Sequence, residues 1–324
     1  MTVVVTGATG HVGNTLVRAL LERGDAVRAV IYGSDERALA GLPVERVYAD
    51  TRDVAAVRRA LAGADLVYHL AAVISIDEAG DRLVRAVNVD GTRNVAQACL
   101  AEGVRRLVHM SSVHALAAEQ TTGPIDETCP LIERTDALAY DRSKADGERA
   151  VLKAVEDGLD AVIVSPAAVL GPNDYGPSLL ADSVLKLQRS PFATEGAYNW
   201  VDVRDVVAGT VAAAERGRRG ERYLLSGERL TVRALAELLA DQAGGRRPRA
   251  TIPVRALAWA LPWVSTYARW TKRRPLYTAH ALRILVSPCD FVHHKARREL
   301  GFSPRPMADT VVDALRFYRE AGYV

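Results

Sequence analysis

The chain is poor in cysteine. Its 324 residues include only Cys99, Cys129 and Cys289, an odd number without metal-ligand spacing. Neither a disulfide framework nor a zinc site is expected, and the thiols read as reduced groups in a cytoplasm. A long apolar run is also missing. The most apolar stretch, Val254 to Val264, is too short to cross hydrocarbon. No basic n-region, apolar h-region or cleavage site precedes MTVVVTG, which leads directly into a strand-like run, so secretion is not expected. Internal repeats and low-complexity segments are absent. Net charge is small, +3, but uneven, because Gly245 to the end carries 15 Lys or Arg against 5 Asp or Glu. Such a tail either draws anionic substrates, nucleic acid or a membrane surface, or forms a solvated face. No recognisable nucleic-acid-binding motif accompanies it, so no nucleic-acid partner is expected.

What the chain has is a core. A hydrophobic fraction of 49% over this length supports one large α/β unit or two domains. Short apolar runs alternate with helical patterns in the first half: Val3–Val5, Ala26–Ile31, Val44–Tyr48, Leu66–Leu70, Leu107–Met110, Ala161–Val164 and, further on, Tyr223–Leu225. This is the pattern of βαβ units on a parallel sheet covered on both faces. Val12, Leu16 and Leu20 recur at helical spacing, with Gly24 where a helix should end. The expected fold is α/β, a Rossmann-type doubly wound parallel sheet. Residues 1–170, with about 200–230, would form the dinucleotide-binding part. Residues 171–199 and 231–324 would form a smaller, mostly helical substrate region.

Two constellations carry chemistry. The turn Thr6-Gly7-Ala8-Thr9-Gly10-His11-Val12-Gly13 joins the first strand to the first helix. Glycines there let the backbone approach a pyrophosphate, whose charge is favoured by unpaired N–H groups and the helix dipole. The same three glycines could also serve an ordinary turn. The second is Tyr140-Asp-Arg-Ser-Lys144. At a separation of four, phenol and ammonium share one helix face, so the cation is expected to lower the Tyr140 pKa and ready it for proton exchange with a carbinol or carbonyl oxygen. Ser111 and Ser112 follow the strand Leu107–Met110, at the sheet edge where such folds build their sites. The alternative role for these serines is a cap.

With these motifs in order, the chain resembles the short-chain dehydrogenase/reductase superfamily, in its extended, epimerase/dehydratase-like branch. The match covers TGATGHVG, Ala49-Asp50-Thr51-Arg52-Asp53, His69-Leu70-Ala71-Ala72, Asn88 to Thr92, the Ser pair, YDRSK, Ser165-Pro166-Ala167 with Gly171-Pro172, and Trp200 to Asp205. The resemblance implies a dinucleotide held by Gly7, Thr9, Gly10, His11, Val12 and Gly13. It implies that Asp50 and Thr51 meet the adenine, that Leu70, Ala71 and Ala72 line the cleft, and that Pro166, Ala167 and Ala168 flank the nicotinamide. Asn88 joins the cofactor set, Lys144 binds the nicotinamide ribose, Tyr140 is the acid/base, and Ser112, with Ser111 behind it, supplies the hydroxyl. On the residues alone, Asp50 could instead cap a helix and Asn88 a turn. His69 reads as a strand-end histidine without catalysis, and His114 either lines the substrate pocket or sits in a loop.

Discrimination between NAD and NADP should fall after the second strand, where Tyr32, Asp35 and Arg37 point both ways, so both cofactors stay open. The stretches Tyr223 to Thr231 and Lys295 to Phe302 resemble dihydroflavonol reductase and 3β-hydroxysteroid dehydrogenase. That likeness implies hydride transfer to or from an apolar or aromatic ketone, aldehyde or secondary alcohol. Trp259, Trp263, Tyr267 and Trp270 share a short stretch with Arg255 and Arg269. The segment 254–270 reads as an apolar lid, a membrane-surface contact or a core helix. A homodimer is considered. The rival functions are a nucleotide-sugar epimerase or dehydratase and a dinucleotide sensor that turns nothing over.

Overall fold

Seven short runs of β-branched and apolar residues become the strands of one sheet: β1 (Thr2–Thr6), β2 (Ala26–Ile31), β3 (Glu45–Tyr48), β4 (Leu66–His69), β5 (Arg106–Met110), β6 (Ala161–Pro166) and β7 (Arg222–Leu225). The computed structural model describes residues 1–74, 81–121, 123–176, 178–243, 247–271, 282, 285 and 290–323. Strand order is β3-β2-β1-β4-β5-β6-β7, and every neighbouring pair is parallel. These are the seven expected runs, with Val44 and Leu70 falling just outside their strands. The order proceeds outward in both directions from β1 and β4, as in a doubly wound Rossmann sheet. A crevice therefore opens at the carboxyl ends of that central pair.

Both faces are covered. Leu16 and Leu20 of α1 (His11–Glu22) and Val206 and Val211 of α5 (Val203–Arg216) pack with Val3, Val5, Val108 and Val162 on one side. Leu61 of α2 (Val54–Leu61), Val95 and Cys99 of α3 (Thr92–Ala101) and Val151 of α4 (Ala139–Glu156) pack with Val4, Leu107 and Ile163 on the other. Successive residues of β1 thus enter opposite cores, the two-residue period of a strand buried on both faces. Each fully buried aliphatic side chain contributes roughly 1.5–3 kcal/mol. Gly24, just past α1, has φ +82°, the left-handed conformation that ends a helix without a Cβ penalty.

A third cluster lies beyond the sheet edge. It joins residues of the helices Leu179–Arg189, Val232–Ala243 and Met307–Glu320, and Tyr198, Trp200 and Phe291, to Val113, Leu116 and Ile125 of the segment after β5 and to Leu224 of β7. Strands thread this helical region: Ala168–Leu170, Ala197–Asp202 and Glu228–Thr231 form a second sheet. Val254–Thr271 is a helix, yet Trp259 and Trp263 are 79% and 73% exposed, so the core-helix expectation does not hold for them. Cys99 and Cys129 are free and buried. Cys289 and the side chains of Tyr267, Arg269 and Trp270 lie outside the described residues. Among the described residues, no helix is long and apolar enough to cross a membrane.

Candidate active site

Every expected site residue outside α1, Arg37, Asn88 and α4 lies at the carboxyl ends of β1 to β6 or just beyond. After β1, Gly7 has φ +69°, and a Cβ there would sit 2.7 Å from the Ala71 nitrogen. A Cβ on Gly13 would lie 2.0 Å from the Gly7 carbonyl oxygen. Only glycine allows the turn to close this tightly against the segment after β4. Gly10 precedes α1, whose first turn carries no acidic residue to offset its dipole. Thr9 lies in the same turn, and Val12 packs against the sheet core. This cradle of close backbone and open helix N–H groups fits a dinucleotide pyrophosphate. The His11 side chain points elsewhere, its Nε2 2.9 Å from the Pro172 carbonyl oxygen, and burial lowers its pKa against the opposing field of Asp174.

At the far end, Tyr32 follows β2 and is largely exposed. Arg52 donates to the Tyr32 hydroxyl (3.2 Å) and lies over its ring (5.8 Å) while pairing with Asp50 at 2.5 Å. That hydrogen-bonded pairing holds the Asp50 carboxyl below its ordinary range. Asp53, rather than Asp50, caps α2 by accepting from the Ala55 and Ala56 amides. Thr51 is buried, and its carbonyl accepts from Asn94. Arg37 is exposed and paired with Asp35 at 2.8 Å. Leu70, Ala71 and Ala72 follow β4. Asn88 spends its side chain on structure: its carbonyl accepts from Val73 N–H, and its amide donates to the Val73 carbonyl and the Ser143 hydroxyl, latching the segment after β4 onto α4. His69 is buried between the Thr6 (2.7 Å) and Thr92 (3.0 Å) hydroxyls. Pro166 ends β6, and the Ala167 amide donates to the Leu225 carbonyl. Ala168 begins the next strand.

The Ser, Tyr and Lys groups meet between β5 and α4. The Ser112 hydroxyl, which accepts the His114 amide at 3.2 Å, lies close enough to the Tyr140 phenol to favour its ionised form. Ser111 faces away and donates to Glu148 at 2.6 Å. Lys144 is buried and donates to the Met110 carbonyl at 3.0 Å. The expected lowering of the Tyr140 pKa is not what this structure gives. Burial pushes the phenol up to about 12, although the Ser112 hydroxyl acts the other way. Lys144 is itself pushed down to about 8 by burial, partly offset by Glu148. Desolvation outweighs the four-residue spacing that sequence makes visible. His114, in the short turn after β5, lies beside Tyr140, with ring centroids 5.9 Å apart. His114 Nδ1 is 3.3 Å from Asp141 Oδ1, and Nε2 is 3.0 Å from the Tyr198 hydroxyl.

A family model described as the NAD dependent epimerase/dehydratase family matches residues 3–226. The chain belongs to this family. One relative is sterol demethylase protein B of Methylococcus capsulatus, 40% identical over 100% of both chains. Another is 3 beta-hydroxysteroid dehydrogenase/Delta 5-->4-isomerase of Mycobacterium tuberculosis, 30% identical over 93% of this chain and 86% of its own. Among solved structures, the dTDP-glucose 4,6-dehydratase DesIV of Streptomyces venezuelae, with NAD bound, superposes with a TM-score of 0.79. It is 26% identical, and the match covers 99% of this chain and 97% of that one. The chain is thus an enzyme-family member of the NAD-dependent epimerase, dehydratase and reductase type.

Sequence reading missed Arg52, Asp141, Glu148, Tyr198 and Arg222. Asp141 adjoins Tyr140 and Arg52 adjoins Thr51, so both stood within motifs already noted. Tyr198 and Arg222 come from strands distant in sequence and carry no local signal.

Proposed function

We propose that this protein is an NAD-dependent oxidoreductase acting on the ketone or secondary alcohol of an apolar, polycyclic skeleton of the sterol or steroid kind. The observation that carries the reading is the meeting of Ser112, Tyr140 and buried Lys144 at the carboxyl edge of β5, where Lys144 donates to the Met110 carbonyl at 3.0 Å and His114 links Ser112 to the Tyr140 ring. When bound, the dinucleotide supplies or accepts the hydride. Gly7, Gly10 and Gly13 hold its pyrophosphate, while Leu70 to Ala72 and Pro166 to Ala168 wall the cleft. Tyr140 gives its proton to the carbonyl oxygen in reduction, and its dry setting keeps the phenol protonated for that step. Ser112 holds the same oxygen beside the phenol, and the Lys144 ammonium lowers the cost of the phenolate left behind. NAD is favoured over NADP because both nearby guanidiniums already face carboxylates: Arg37 with Asp35, and Arg52 with Asp50. A 2′-phosphate would meet those acids.

Residues 171–199 and 231–324 receive the substrate over the dinucleotide-binding part, residues 1–170 with about 200–230. The buried apolar cluster that joins Leu116, Leu170 and Leu224 to Val184, Leu235 and Val311 packs these two parts against each other. The substrate class draws support from the two sterol- and steroid-named relatives, and a cytoplasmic setting from the free thiols.

The test pairs fluorescence titration with NADH and NADPH with a turnover assay on keto-steroids and nucleotide sugars. Tighter NADH binding and NADH consumption on a keto-steroid are expected. Tightly retained NAD with sugar conversion and no net consumption would replace this reading with an epimerase or dehydratase. Cofactor binding without any turnover would leave a sensor.

A further inference from the structure

The helix Val254–Thr271 turns two large apolar residues outward. Trp259 and Trp263 are 79% and 73% exposed, and Arg255 extends the same outer face at the same four-residue spacing. Leu257 and Leu261, also four apart, are partly buried on the inner side. The Val254 amide donates to Glu195 at 3.3 Å and ties the start of the helix to the body. Apolar packing therefore does not account for the tryptophans.

Along the sequence, the charge flanking the helix has one sign. Between Asp241 and Asp290 the sequence carries nine Lys or Arg and no Asp or Glu, and it holds three of the four tryptophans in the chain. Exposed indoles, each an apolar ring with one N–H, on a basic stretch of chain complement a layer with anionic headgroups above acyl chains. A second copy of this face would set like charge against like charge.

We propose that Arg255, Trp259 and Trp263 form a peripheral docking face for an anionic lipid bilayer, with the indoles entering the headgroup boundary and the basic stretch held by lipid charge. The inference stands on exposure and charge, independently of the proposed reaction. If that reaction is right, the face also brings the enzyme to where an apolar substrate dissolves.

The test is flotation of the full chain, in the presence of NADH, with vesicles of phosphatidylcholine alone or mixed with phosphatidylglycerol, at low and high salt. Binding to the mixed vesicles is expected to exceed binding to phosphatidylcholine by about tenfold and to weaken with salt. W259S/W263S should lose about tenfold in vesicle binding, with NADH titration in solution unchanged as the control for folding. Failure of the wild type to float with mixed vesicles would overturn the proposal, as would equal binding by the double variant, which would leave charge alone. Sedimentation velocity supplies the other arm. A dimer that the double variant splits, with no vesicle binding by the wild type, would assign the face to a second copy. Because flotation reads no turnover, it can succeed where the proposed reaction fails.

Discussion

At Tyr140 two effects compete: burial raises the phenol to about 12, while the Ser112 hydroxyl favours its ionised form. Burial is the larger, so the unliganded site stores a proton on Tyr140 rather than a phenolate. Lys144, at about 8, remains mostly charged at neutral pH and stands ready to stabilise the anion that proton transfer creates. Tyr140→Phe removes the transferable proton and little volume. Turnover is expected to fall by about 10²- to 10⁴-fold, the usual worth of a positioned acid/base, with NADH affinity retained. Steady-state kinetics beside a fluorescence titration would check this, and unchanged turnover would remove Tyr140 from the mechanism. Ser111 and Ser112, adjacent in sequence, divide their roles because successive residues leave β5 in opposite directions, one towards Glu148 and one towards Tyr140.

At the scale of elements, α4 is the keystone of the site. Besides Tyr140 and Lys144 it carries Ser143, which accepts from Asn88, and Glu148, which is fully buried. Gly147 lets α4 press so close that a Cβ would sit 2.5 Å from the Asn88 carbonyl oxygen. Glu148 accepts from Ser111 of the turn after β5 and pairs with Arg222 of β7. Arg222 donates further to the Glu127 and Cys129 carbonyls. Glu148→Ala would leave the Arg222 guanidinium buried without its carboxylate, a change that costs about 3–5 kcal/mol in comparable pairs. Urea unfolding should show a lower midpoint with the slope preserved. A midpoint within error of the wild type would show that the pair contributes nothing net. At temperatures where the variant stays folded, its turnover should fall less than that of Tyr140→Phe, because Glu148 touches no reacting group.

Across the whole molecule, buried histidines make stability depend on acid. His69 and His109 lie on β4 and β5 with ring centroids 5.5 Å apart. Burial lowers His69 to about 3, with the nearby Lys144 charge adding to the effect. Burial also pulls His109 well below its ordinary value, with His69 and Lys144 adding to it. Both ring nitrogens of His109 are buried without a partner among the described residues. Between about pH 6.5 and 3 the unfolded chain therefore binds protons that the folded one refuses, and stability falls as pH falls through that window. The slope is about 1.4 kcal/mol per pH unit for each such histidine. His109→Leu should flatten the profile of stability against pH and raise stability at the acid end, measured by denaturant titration at several pH values. A profile parallel to the wild type would show that His109 takes up its proton without unfolding.

The sequence by itself determined the sheet and the location of the chemistry. Periodicity is local, so seven alternating runs announced seven strands, and the glycine turn and the four-residue Tyr–Lys spacing announced their elements. Tertiary structure alone decided three things that sequence left open or misjudged. It committed Ser111 to Glu148, because the partner carboxylate lies 37 residues away. It raised the Tyr140 pKa, because desolvation is set by everything packed around a group and not by its neighbour one turn along. It turned Trp259 and Trp263 to solvent, since helical spacing groups side chains on one face but cannot say which way that face is turned.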